Sequence, residues 1–426
     1  MRMNKMKKLL SLLILLSPTI YRAQGFQVNL QGQAQQAMGG AGTALIQDGA
    51  AVFFNPGGMS FLKENSVNMG VTPVISHGAF LESNTNATGT TQSPVAFPFA
   101  GYAVWGADSS HKVFSRFKFG LGAYTPFGST IKWQDPWPGR FNLTEIQLFA
   151  VFVQPTISYK INDKWGIGGG FVYASGKVNL QQDLPITYQN GNYGNATIQG
   201  NAAGYGFNGG IYYKPCSKFS LGLTYRSQVN MNVKNGTATF NVPSSLSADF
   251  PNGSFTSSLP LPQVATLGLA YRVNEKLALA FDASFVGWYT YKSITFKYAD
   301  TTAQLQNTVL VRNYQNGYSF RLGGQYKILN NLYGRLGLSY LISPVKNGYV
   351  TPDVPDGNRL NVMAGIGYNV GKHFAANASF TFEDITRKGD NFSSIIPATP
   401  GQLITPLSGT YKVFIYAPGL SVTYKF

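Results

Sequence analysis

The chain has 426 residues and carries 33 Lys and Arg against 17 Asp and Glu, a formal charge of +16. Only 12% of its residues are charged, about half the roughly 25% of ordinary soluble domains, which argues against a cytosolic enzyme. With 44% hydrophobic and 14% aromatic residues the composition excludes intrinsic disorder, and no apolar run reaches the roughly 20 residues of a membrane helix. A charge-poor chain with 48 Gly, 25 Tyr and 30 Phe points instead to an all-β transmembrane barrel, in which only alternate residues face lipid.

In chain order, Arg2, Lys5, Lys7 and Lys8 precede the run Leu9–Leu16, and Ala23 follows it, which is the pattern of a secretory signal peptide over residues 1–23. Its loss removes five cations, counting Arg22, and no acid, leaving about +11. Cys216 is the sole cysteine, so no disulfide and no Cys-based metal site can form. The basic residues are scattered rather than clustered as a nucleic-acid footprint would be, and a basic exterior suits an anionic lipid surface.

Residues 24–65 are too few for a domain of their own. Their content is small and turn-forming, as in GGAGTA (Gly39–Ala44) and FFNPGGMSFL (Phe53–Leu62). This composition predicts a hatch, or plug, packed in the barrel lumen. Phe53, Phe54, Met59 and Phe61 are apolar yet outside any strand, so they are expected to line a ligand pocket.

From residue 66 to 426 alternating apolar stretches of roughly 10 to 16 residues recur. About fourteen are expected, running from Ser66–Ser76 through Glu145–Lys160 and Lys276–Tyr298 to Thr410–Phe426. Tight turns at residues 162–164, 215–216, 274–275, 329–331 and 371–372 alternate with long loops near 126–144, 181–200, 231–262, 299–315, 344–358 and 386–409. Short turns on one side, long loops on the other and an even count give an antiparallel outer-membrane barrel with both ends in the periplasm.

Within Lys276–Tyr298, Leu277, Leu279, Phe281, Ala283, Phe285, Tyr289 and Tyr291 share one face, and Ala278, Ala280, Asp282 and Ser284 the other. A charge facing mid-bilayer costs about 2 to 4 kcal/mol, so Asp282 is expected to face the lumen. Arg226, Arg321, Arg335 and Lys118 follow by the same alternation. Gly222, Gly323, Gly337, Gly365 and Gly367 on that inner face leave space. A soluble sandwich would fill it with a second apolar layer. Leu420, Val422, Tyr424 and Phe426 alternate to an aromatic C-terminus, similar to the terminal-strand signal read by the outer-membrane assembly machinery.

Chemical motifs are scarce. The topology separates His77 from His111 and His373, so a zinc site or a nucleophilic triad built on several histidines is not expected. An enzyme would have to rely on His77 with a loop acid such as Glu82. Gly170–Val178 lacks the spacing and the Ser or Thr of a phosphate loop, and no cofactor is predicted.

The run GFQVNLQGQAQQAMGGAGTALIQDGAAVFFNPGGM resembles the N-terminal hatch of the FadL/TodX/OmpP1 family of outer-membrane transporters. The similarity continues through TPFGSTIKWQDPWPGRF (Thr125–Phe141), QPTISYKINDKWGIGGGFVYASGKV (Gln154–Val178), LGLTYRSQV (Leu221–Val229) and the final strand. It implies capture of a hydrophobic compound, a long-chain fatty acid or a hydrocarbon, near the extracellular loops. The ligand would then pass to a pocket beside the hatch and exit sideways through the wall. The kinked third strand of the family corresponds to SRFKFGLGAYTPFG, so Gly120 and Gly122 are the expected lateral opening, with Pro126 nearby. The family's hatch triplet Asn-Pro-Ala stands here as Asn55, Pro56 and Gly57, and the glycine is expected to loosen the backbone. Arg312 matches one of two basic ligand contacts of the family. The other position holds Leu180, with Lys177 the nearest cation. A chain of about sixteen methylenes gains roughly 13 kcal/mol on leaving water, against about 1.5 to 3 for one charge-assisted hydrogen bond, so the apolar tail dominates binding. The readings that compete with transport are a hydrophilic diffusion pore and an adhesive surface barrel.

Overall fold

The computed structural model describes residues 25–92, 94–106, 114–389 and 407–426. The expected signal peptide, His111 and part of the loop expected at 386–409 lie outside these. The wall is a closed antiparallel sheet of fourteen strands, eight continuous and six interrupted once. β1 (Ser66–Val71) and β2 (Ile75–Glu82) form the first wall strand, and β3 (Thr88–Thr90) with β4 (Phe99–Gly106) the second. β5 (Phe117–Lys132), β6 (Glu145–Lys160), β7 (Trp165–Thr187) and β8 (Tyr193–Tyr213) are continuous. Four interrupted strands follow: β9 with β10 (Phe219–Arg226, Val229–Asn241), β11 with β12 (Gly253–Leu261, Val264–Arg272), β13 with β14 (Leu277–Val286, Ser293–Tyr298) and β15 with β16 (Thr308–Val311, Gly317–Lys327). β17 (Leu332–Ile342), β18 (Arg359–Val370), β19 (Phe374–Gly389) and β20 (Gly409–Lys425) complete the wall. β20 pairs with both β1 and β2, and Phe426 N–H donates to the Asn65 carbonyl at 3.0 Å, so no edge is left at the seam.

The alternation of faces holds along β13, where Ala278, Ala280, Asp282 and Ser284 are buried and Leu279 is exposed. On β16 and β17, Leu322 and Leu336 are exposed while Arg321 and Arg335 are buried. Two expectations need correction. Lys276–Tyr298 is not one strand: a 3-10 turn at Trp288–Thr290 breaks the period of two, and Tyr291 is buried 5.0 Å from Tyr314 instead of facing lipid. The expected loops at 181–200 and 231–262 are largely strand, because β7–β8 and β10–β11 continue beyond the membrane as hairpins. Their buried residues Ile198, Val233, Phe240 and Phe255 form a separate apolar core. Asn- and Gly-rich composition disguised that alternation, since outside lipid the second face is free to be polar.

Among the described residues three short helices lie inside the wall, α1 (Gln33–Gln36), α2 (Ala51–Phe54) and α3 (Pro56–Met59). They pack on opposite sides of the barrel, α1 against β18 and β19 and α3 against β6, β7 and β8. The inward glycines do leave space, and the segment fills it. A Cβ on Gly337 would stand 1.9 Å from the Gly39 nitrogen, and one on Gly323 2.2 Å from the Met38 carbonyl oxygen. Backbone therefore meets wall where a side chain would separate them. Two of the three buried glutamines of α1 donate to wall hydroxyls, Gln33 Nε2 to Thr72 Oγ1 at 2.8 Å and Gln36 Nε2 to Thr381 Oγ1 at 3.0 Å, while Gln35 Nε2 donates to Asp48 Oδ1 at 3.1 Å. This is how polar helix residues survive burial.

Candidate functional site, a cavity at a break in the wall

β4 pairs with β5 only as far as Ala100 against Tyr124. The second wall strand meets β5 again at Thr91 and Trp133, with Gln92 N–H donating to the Lys132 carbonyl at 2.8 Å. Between these points the second strand makes no ladder with β5, although Ala96 still bridges Val74 of the first wall strand, and its Val95 and Phe97 are exposed. The edge of β5 that it vacates is taken by the N-terminal segment. Gln27 bridges Phe127, Val28 N–H donates to the Pro126 carbonyl at 2.8 Å, and Gly128 N–H donates to the Phe26 carbonyl at 3.0 Å. Pro126 has no N–H to offer a ladder, and the β5–β6 register shifts between Tyr124 and Phe127.

A cavity of about 520 Å³ lies behind this break. The N-terminal segment contributes Phe26, Val28 and Leu30; β5 contributes Phe127 and Ile131; Trp133, Ile385, Val413 and Ile415 add further apolar surface. Phe97, Pro98 and Phe99 of this unpaired segment also line it, so the cavity extends to the point where the ladder is interrupted.

The roof comes from the loop between β17 and β18, which brings Asp353 and Asp356 to the cavity. Arg312, expected as a ligand contact, is instead committed to this loop. Its guanidinium pairs with Asp353 at 2.9 Å and donates to Thr351 Oγ1 at 2.6 Å. Burial pulls its pKa down, but the Asp353 carboxylate beside it more than offsets this and holds it above the ordinary value. Asp356 accepts from the Gly25 backbone N–H at 2.6 Å and from Ser343 Oγ at 2.8 Å. Arg359 pairs with Asp356 at 2.8 Å and with Glu383 at 2.7 Å. Burial raises the Asp356 pKa, and Arg359 works against that rise.

The other expected residues fall elsewhere. Lys177 is exposed in the alternation of Phe171 and Tyr173, on the outer face, whereas Leu180 packs inward; Lys177 therefore has no place in the lumen. Gly120 pairs with Val104 and Thr156, and Gly122 with Tyr102 and Gln154. The wall is closed at both, and the break lies further along, at Thr125–Ile131. A Cβ at Gly120 would meet Val52 Cγ2 at 2.6 Å and Met59 Sδ at 2.7 Å, so this glycine admits the N-terminal segment. None of Phe53, Phe54, Met59 and Phe61 lines the large cavity. Phe53 packs edge-on to Tyr124 at 5.0 Å under the Arg226 guanidinium, which is 4.2 Å from the ring centroid. Phe54 with Phe53 borders a polar hollow of about 60 Å³. Phe61 lies against Tyr212 at 4.9 Å.

Asn55, Pro56 and Gly57 form a rigid turn. Asn55 Oδ1 accepts from Gly57 N–H at 3.0 Å and caps α3, and its Nδ2 donates to the Thr43 and Ile211 carbonyls at 2.8 and 3.2 Å. A Cβ on Gly57 would stand 2.6 Å from the Gly210 carbonyl oxygen. The glycine thus buys close contact with the wall rather than looseness. Three of the lumen charges hold the N-terminal segment. Asp282 Oδ2 accepts from Gly42 N–H, Thr43 N–H and Thr43 Oγ1 at 2.9, 3.0 and 2.8 Å. Arg226 donates to the Phe53 carbonyl at 3.1 Å and Arg321 to Asn29 Oδ1 at 3.1 Å. Arg335 donates to Gln325 and Asn377 within the wall. Among the described residues no group of His, Cys, Asp and Glu is arranged to hold a metal.

The chain is 24% identical to the long-chain fatty acid transport protein of Escherichia coli K12, covering 88% of this chain and 91% of that one. It is likewise 24% identical to a putative outer membrane protein of Neisseria meningitidis, over 84% and 85%. Among solved structures it superposes on a Pseudomonas aeruginosa FadL homologue with a TM-score of 0.79 at 20% identity, covering 94% of this chain and all of the other. It superposes on the P. putida toluene transporter TodX with a TM-score of 0.71 at 19% identity, over 95% and 99%. Residues 14–426 match the family described as outer membrane protein transport protein (OMPP1/FadL/TodX), and the chain therefore belongs to that family of outer-membrane transport proteins.

Proposed function

We propose that the protein takes neutral hydrophobic molecules from the outside into the cavity beneath the loops and releases them sideways into the membrane, where the second and third wall strands part. The observation that carries this reading is the cavity itself: about 520 Å³, within the roughly 300 to 1,000 Å³ of small-molecule sites, largely apolar, and set against the break. Arg359 is the only cation among its described lining residues, and two acids already pair it. Asp353, Asp356 and Glu383 also line the space. A ligand carboxylate would lose its water and meet like charge, whereas each buried methylene gains about 0.8 kcal/mol.

Long-chain fatty acids, named for the E. coli relative, and toluene, named for the P. putida one, frame the choice of substrate. Binding of matched pairs to the purified protein, hexadecanol against hexadecanoate and toluene against benzoate, tests it by calorimetry. The neutral member of each pair should bind at least about tenfold tighter. Hexadecanoate binding as tightly as hexadecanol would replace this reading with fatty-acid uptake.

A further inference from the structure

Lys177, which has no place in the lumen, belongs to an arrangement on the outside of the extracellular hairpins. The alternation that buries Val233, Phe255 and Phe296 in the apolar core of these hairpins turns their neighbours Lys234, Thr256 and Lys297 outward, and all three are exposed. Lys177 shares the outer face with Phe171 and Tyr173 and is exposed as well. The register joins them into one row. Lys177 pairs with Asn201, and Thr256 with Lys297. On β10 a bulge between Val233 and Gly236 sets Lys234 between Asn201 of β8 and Thr256 of β11. The row therefore crosses β7, β8, β10, β11 and β14, with a lysine on every second strand and a neutral residue between.

Neighbouring strands lie about 4.8 Å apart, so successive lysines stand roughly 10 Å from one another, about one Debye length at 0.1 M salt. Their fields add, yet no small anion can touch two of them at once. Among the described residues the lysine ion pairs are those of Lys132, Lys160, Lys412 and Lys425, and none belongs to this row. Asp183, the acid in phase with Lys177 on β7, is half-buried beside Arg140, and Asp300 lies beyond the end of β14 near Gly253.

The outer face also marks the height of the row. Below it Tyr173, Tyr205, Phe207 and Tyr225 are exposed, with Tyr173 5.5 Å from Tyr205, and such aromatic girdles stand at the membrane interface. Beyond them the same face turns polar: Asn230, Asn232 and Ser258 are exposed, and Ser258 donates to Asn232 at 2.8 Å. Lys177 follows Tyr173 by four residues, about 13 Å along the strand. That distance carries the row out of the apolar layer and into the level of the outer-leaflet headgroups.

We propose that this row binds the phosphorylated inner core of lipopolysaccharide. The three ammonium groups meet successive phosphates along the sugar chain, and Asn201 and Thr256 between them exchange hydrogen bonds with its hydroxyls. The contact ties the hairpins to the membrane surface. A free phosphate would satisfy one lysine, whereas a chain carrying several engages the whole row.

Surface plasmon resonance of the mature protein in detergent, against purified lipopolysaccharide and the same material stripped of phosphate, tests the proposal. The wild type should bind the phosphorylated form at least about tenfold tighter, since each cation near an anionic lipid surface adds roughly a factor of five. Lys177→Gln, Lys234→Gln and Lys297→Gln together should abolish the preference, and each alone should lower the affinity about fivefold. Lys412, in phase with Tyr416 on the outer face of β20, is already held by Asp384, so Lys412→Gln should change nothing. Equal binding of the two forms by the wild type, or a preference that survives the triple substitution, would overturn the proposal. So would an equal loss in Lys412→Gln, which would reduce the effect to overall charge, or tighter binding of soluble polyglutamate, which would point to an acidic protein.

Discussion

Val28 donates its backbone N–H to the carbonyl of Pro126 across 2.8 Å, which places the N-terminal segment on the strand edge that the second wall strand leaves open. A buried sheet edge needs partners for its backbone groups. Here the partner is a segment held by a few bonds rather than a whole strand.

The hatch should block an otherwise open tube. Deletion of residues 24–60 removes all three helices and the segment beside Pro126, and leaves the wall strands intact. Planar-bilayer recordings should then show steady conductance where the whole mature protein shows little. Conductance near zero in the deleted protein would refute the plug and would also leave the hydrophilic-pore alternative without support.

The wall glycines make a second prediction. Gly337→Leu places a side chain where Gly39 backbone now lies 1.9 Å from the Cβ position. Overpacking of this kind costs about 1 to 3 kcal/mol. The cost should fall on hatch seating, read as faster proteolysis within residues 25–60, and Leu336→Ala on the lipid face should leave that rate unchanged.

Much of this was legible in the sequence, because a barrel writes itself with period two. Asp282 flanked by Phe281 and Ala283 could face only inward, and fourteen repeats with alternating turn lengths gave the topology. What could not be read was any relationship between distant segments. Arg312 before a strand was expected to contact ligand, by resemblance alone, since nothing local shows that the loop carrying Asp353 folds back over it. Pro126 marked a bend, but its partner Val28 belongs to another part of the chain. Gly120 and Gly122 were misread for the same reason, since a glycine that admits a hatch and one that opens a gap look alike in one dimension.

Arg312 therefore supports a stability prediction rather than a binding one. Arg312→Ala leaves Asp353 buried without its partner, and removing one member of a buried pair costs about 3 to 5 kcal/mol. The loss should appear as a lower midpoint of urea unfolding. The double variant Arg312→Ala with Asp353→Asn should recover part of it, because no unpaired charge remains. Equal midpoints for wild type and Arg312→Ala would show that the pair contributes nothing.

Sideways release at the break is tested most directly by tying the N-terminal segment in place. Gln27 and Phe127 form a bridge whose hydrogen bonds are made by the flanking residues, the non-hydrogen-bonded kind of antiparallel pair, whose side chains stand closer, suited to a disulfide. In a Cys216→Ser background, Gln27→Cys with Phe127→Cys should cross-link on oxidation. Uptake of a labelled neutral hydrocarbon by cells carrying the oxidised protein should fall at least about tenfold and return with reductant. Unchanged uptake through fully cross-linked, correctly inserted protein would contradict release between the second and third strands.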